Sequence, residues 1–93
     1  MDLYSLVLEH KGNSFTTQVH APSAEEAVAA FFSGTYPSLR QQAFGSAAPS
    51  LGSADIIYVT PMTGLVNSWS ASVGREGQYV SVVCTRTVSS GAA

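Results

Sequence analysis

Apolar and polar residues alternate twice near the start of the chain, over 3–9 (LYSLVLE) and 14–21 (SFTTQVHA), on either side of Lys11, Gly12 and Asn13. Side chains of a strand point to opposite faces in turn, so Tyr4, Leu6 and Leu8 share one face, as do Phe15, Thr17, Val19 and Ala21. The pattern predicts a β-hairpin. A Lys11-Gly12 turn would pair Leu8 with Phe15, and a Gly12-Asn13 turn would pair Leu8 with Thr17. Both registers keep the apolar sets together. The reverse face carries Ser5, Val7, Glu9, Thr16, Gln18 and His20 and is largely polar.

The period then changes from two to that of a helix. Pro22 ends the second strand. Ser23 and Glu26 form the S-x-x-E pattern of a capping box, in which each residue satisfies a free backbone N–H of the other. Ala24, Ala27, Val28 and Phe31 follow at the spacing of one helical face. Glu25 and Glu26 suit the positive end of the helix dipole, and Gly34 is the expected stop.

The stretch 35–54 is rich in Ser, Ala, Gly and Pro. Within it, 37–44 (PSLRQQAF) predicts a short second helix, with Pro37 near its start and Gly45 past its end. Leu39 and Phe44 would anchor it. Residues 45–54 read as a flexible loop.

Three more strands follow. The run 55–60 contains Ile56, Ile57, Tyr58 and Val59, which favour strands. After a turn at 61–64, residues 65–73 alternate, with Leu65, Trp69, Ala71 and Val73 on one face and Ser68, Ser70 and Ser72 on the other. A turn at 74–77 leads to a last strand, 78–88. Pairing across that turn sets Val73 opposite Gln78, Ala71 opposite Val80, Trp69 opposite Val82 and Asn67 opposite Cys84. Residues 89–93 are a small-residue tail expected to be disordered.

The expected fold is α+β, a single domain over 1–88. It has two layers, an antiparallel five-stranded sheet with one main helix and a possible second short one on one face, in the order ββα(α)βββ. Its core should hold Tyr4, Leu6, Leu8, Phe15, Val19, Ala27, Val28, Phe31, Ile56, Trp69, Val80 and Val82. Whether the hairpins join through the first or the second strand is open at this point.

Composition narrows the function. Only 11% of residues are charged, against a usual ~25%, which leaves a weakly charged surface and leans toward self-association. Four basic residues, Lys11, Arg40, Arg75 and Arg86, are scattered in a chain of net charge −2. Nucleic-acid binding, which draws its affinity from clustered cations, is disfavoured. No run reaches the ~18 apolar residues of a membrane span, and the first residues lack the features of a signal peptide. The expected setting is cytoplasmic, and the small, Ala-rich chain reads as bacterial in type.

Candidate chemistry is sparse. His10 and His20 fall on opposite faces near opposite strand ends, too far apart to share an ion, and read as turn and surface residues. Cys84 falls on the core face, where a thiol is inert. The serine-rich stretch 45–53 has no G-x-S-x-G pattern and no acid–base partner. No catalytic, metal or cofactor site is expected, and the chain is read as a non-enzyme. Trp69, with Tyr58 and Phe31, could line a small-ligand pocket beneath the loop, although aromatic residues between helix and sheet are ordinarily core. The reverse face of the sheet is the candidate interaction surface. It is dotted with Val7, Ile57 or Val59, Val66, Tyr79 and Val83 among serines such as Ser70.

The ββα opening over 3–32, a hairpin followed by the S-x-E-E-A helix start at 23–27, resembles the beginning of HicB-type antitoxins. The resemblance implies a sheet-and-helix fold and a toxin protein as partner. The Pro-Gly-Cys stretch of that family is absent before the helix, and no DNA-binding tail follows. The leading expectation is a small protein-interaction module that binds a partner protein or a second copy of itself. A small-ligand-binding domain near Trp69 and an antitoxin-like regulator are the alternatives.

Overall fold

A computed structural model describes residues 1–33 and 51–87. The predicted second helix, the stop at Gly34, the greater part of the predicted loop and the tail lie outside the described residues. In chain order the elements are β1 (Asp2–His10), β2 (Asn13–Ala21), α1 (Ala24–Phe32), β3 (Ile56–Pro61), β4 (Ser68–Arg75) and β5 (Gln78–Arg86). They form one antiparallel five-stranded sheet, in the order β2-β1-β5-β4-β3, with α1 packed on one face.

The first hairpin closes on Lys11-Gly12, with φ of 51° and 79°. Positive φ at both central residues matches the twist of the flanking strands. Leu8 accordingly pairs with Phe15, and nine pairs run without a break from His10↔Asn13 to Asp2↔Ala21. Strand β1 also pairs with β5, from Tyr4↔Arg86 to Glu9↔Ser81, so the hairpins join through the first strand.

The second hairpin departs from the expected register by two residues. Gly74 and Arg75 extend β4, and the turn is Glu76-Gly77, with φ of 51° and 83°. Val73 therefore faces Val80, Ala71 faces Val82 and Trp69 faces Cys84. A shift of two preserves every side chain's face, so the core assignment survived. Strand β4 also begins later than its alternation implied. Gly64 and Asn67 adopt φ of 86° and 62°, which ends extended pairing and leaves Leu65 and Val66 exposed in the connection. Asn67 is held there by Arg86, whose Nη2 donates to Asn67 Oδ1 at 2.6 Å and whose backbone N–H donates to the Asn67 carbonyl at 2.8 Å.

Helix α1 starts as its sequence predicts. The Ser23 side chain accepts from the Glu26 backbone N–H at 3.2 Å. Ala24, Ala27, Val28, Phe31 and Phe32 are buried, and the small alanines let the helix lie close to the sheet. Ser23→Ala should lower unfolding stability by about 1 kcal/mol, read as a shift in the urea midpoint without a change in slope.

The core comprises these residues with Tyr4, Leu6, Leu8, Val19, Ala21, Ala71, Val73, Val80, Val82 and Cys84. Phe15, Ile56 and Trp69, expected in it, are only partly buried at its margin. Leu51 joins the core. The turn after it is fixed by Asp55, whose Oδ2 accepts from the Gly52 N–H at 2.8 Å. No described helix is long and apolar enough to cross a membrane.

Candidate interaction face

With α1 on one side, no described element packs on the other side of the sheet, and the strand registers assemble that open face row by row. The central row crosses all five strands as Thr16, Val7, Val83, Ser70 and Thr60. On one side of it lie Ser14, Glu9, Ser81, Ser72 and Tyr58, and on the other Gln18, Ser5, Thr85 and Ser68. Val7 and Val83, each 40% exposed, are direct partners at its centre.

Three of the candidate surface residues are thus brought together, since Val7, Val83 and Ser70 are neighbours in one row. Tyr79 lies on the same face at the turn end of the sheet, against Gly74. A Cβ built at Gly74 would overlap the Tyr79 ring, so the missing side chain is what lets the ring lie over the strand. Gly74→Ala should displace the ring and cost about 1–3 kcal/mol, visible as a changed near-ultraviolet dichroism signal and a lower thermal midpoint. Val66 is 83% exposed but lies outside β4, in the connection before it, and is not part of the face.

Tyr58 and Thr60 belong to the face in place of Ile57 or Val59. The pairing of β3 with β4 slips between Ile56 and Tyr58, so Ile57 is an extra residue. A bulge of this kind reverses the alternation beyond it. Ile57 and Tyr58 are both exposed there.

The face is nearly neutral. Among the described residues of its rows, Glu9 is the only carboxylate and none is a lysine or arginine. The described cations sit elsewhere. Lys11 is at a turn, Arg75 Nε lies 3.6 Å from Asp55 and Arg86 Nη1 lies 3.8 Å from Asp2. Five strands ~4.8 Å apart and about eight residues long give the face a footprint on the order of 600 Å².

The remaining candidates for chemistry are accounted for by packing. His10 is buried, contrary to its expected surface position, and its Nδ1–H donates to the Tyr79 carbonyl at 3.0 Å. It caps the turn end of the core, a role that sequence spacing alone does not reveal. His20 is exposed and pairs with Leu3 at the far end of the sheet. No group of three or more His, Cys, Asp or Glu suited to a metal ion occurs among the described residues. Cys84 is fully buried between Leu6 and Trp69, and burial, with a smaller contribution from Glu25, pushes its thiol up to about 12. Trp69 meets Tyr4 edge-on, with ring centroids 5.9 Å apart, over the strand that carries Cys84.

No protein-family model, curated protein or solved structure matches the chain. The likeness of residues 3–32 to the antitoxin opening is therefore a likeness of local pattern, a hairpin and a capped helix, and the open face carries the functional argument.

Proposed function

We propose that this chain is a non-enzymatic protein-binding module whose open sheet face receives a partner protein with a neutral surface of mixed polar and apolar character. The observation that carries the reading is the division of the sheet into one covered and one open face. The open one has paired valines at its centre, tyrosines at Tyr58 and Tyr79, and one carboxylate. A charged partner would find little to pair with there. A neutral one loses no ionic hydration on docking, which would otherwise be costly. The footprint approaches the ~800 Å² per partner of a standard stable interface. The Ser and Thr hydroxyls supply donors and acceptors that a partner can satisfy directly or through water. A cytoplasmic setting belongs to the same reading, which a single buried thiol suits.

Val83→Glu places a charge at the centre of the face without touching the core. The substituted chain should keep its far-ultraviolet dichroism and its melting temperature, and should capture the partner recovered by the wild-type chain at least tenfold less well. Undiminished capture by this variant, with capture lost instead through substitutions on α1, would refute the reading.

A further inference from the structure

The two edges of the sheet are built differently. Strand β3 is six residues long, bulged after Ile56, and ends on Pro61. These features discourage further pairing. Strand β2 has none of them. It is nine residues long, pairs with β1 throughout without a bulge, and contains no proline, lysine, arginine or carboxylate.

The register also identifies which backbone groups on β2 face outward. A two-residue turn makes His10 and Asn13 a hydrogen-bonded pair, and such pairs alternate with non-bonded ones along an antiparallel ladder. Asn13, Phe15, Thr17, Val19 and Ala21 therefore bond to β1, whereas the N–H and C=O groups of Ser14, Thr16, Gln18 and His20 point away from it. The same alternation sends the Leu3 carbonyl toward β5, where it accepts from the Thr87 N–H at 2.8 Å.

We infer that β2 pairs antiparallel with β2 of a second copy of this chain, about a two-fold axis at Thr17, to make one continuous ten-stranded sheet. This register uses every outward group. Ser14 lies opposite His20 of the second copy, and Thr16 opposite Gln18. Thr17 meets its own equivalent in a non-bonded pair, and Phe15 falls opposite Val19 on the covered side, extending the apolar layer across the seam. No formally charged residue of β2 meets another, so the arrangement carries no like-charge penalty of the kind that destabilises directly opposed strands. The axis is perpendicular to the sheet, so both helices lie on one side and both open faces on the other. The inference stands apart from the partner reading and doubles the surface that reading uses.

The test is the solution mass of the full-length chain, with cross-linking to establish the register. The wild-type chain should be a dimer. Thr16→Pro removes only an outward N–H, which an edge strand tolerates, and should yield a folded monomer. Thr16→Lys with Gln18→Lys retains the N–H groups but opposes lysines across the seam, and should weaken dimerisation at least tenfold even if the proline variant folds poorly. Thr17→Cys should form an interchain disulfide on mild oxidation, because a non-bonded pair sets the Cα atoms ~4.5 Å apart, within disulfide range. Ser14→Cys should not. A wild-type monomer at every soluble concentration overturns the proposal and leaves the open-face reading standing. A dimer that persists in both edge variants but dissociates in Val83→Glu also overturns it, and assigns self-association to the face instead.

Discussion

Phe31→Ala is expected to bring the chain close to unfolding. Phe31 is fully buried under α1 and meets Phe32 edge-on, with centroids 5.1 Å apart. Removing a buried aromatic ring typically costs 3–5 kcal/mol, about, because the lost transfer energy adds to the cavity left behind. A domain of this size has a total stability on the order of 5–15 kcal/mol. The cavity also cannot collapse cheaply, since α1 is tied at its start by the Ser23 cap and rests on a sheet whose three inner strands, β1, β5 and β4, are paired on both sides. Urea unfolding should show a much lower midpoint with an unchanged slope. A loss below about 1 kcal/mol would mean that α1 does not pack on the sheet as described, because a ring this well enclosed cannot be removed so cheaply.

The second large effect concerns Cys84. It lies on β5 between β1 and β4, in the row Leu6, Cys84 and Trp69. A reagent can reach it only when the centre of the sheet opens, which amounts to global unfolding. For a stability of about 5 kcal/mol, alkylation in mildly alkaline buffer should be at least about a thousandfold slower in the native chain than in urea. Fast native alkylation would contradict the placement of β5. The same burial predicts a pH dependence. The unfolded thiol ionises near ~8.5, whereas the folded one is held neutral to about 12. The thiol's contribution to stability is therefore complete below the unfolded value and declines as the pH rises toward the folded one. Cys84→Ala should flatten part of that alkaline decline. Tyr4, whose pKa burial also raises, should extend the decline at still higher pH.

The first hairpin and α1 were legible in the sequence because each carries its own local signal. A glycine stands where the turn needs positive φ, strict alternation flanks it, and Ser23 is followed by Glu26. The second hairpin was harder to read because Gly74 looks like the start of a turn. The structure uses it inside β4, where the Tyr79 ring lies over it. The adjacency of β1 and β5 has no local signature, since it joins residues at the two ends of the chain, and the burial of Leu51 is likewise a tertiary effect. The open face was half legible. Val7, Ser70, Tyr79 and Val83 follow from alternation alone. Tyr58 and Thr60 do not, because four consecutive apolar residues at 56–59 conceal the bulge that reverses them. Val66 was misplaced because alternation continues through residues whose backbone has already left the strand.

The claim that the open face is where this protein meets its partner is tested most directly by a photo-reactive benzoylphenylalanine placed at position 83 in the full-length chain. A second chain carrying the same probe at Glu25 on α1 provides the comparison. Irradiation in the native cell should give a discrete adduct from position 83, and little or none from position 25. Adducts from position 25 alone would place the interaction on the helix side and contradict the account.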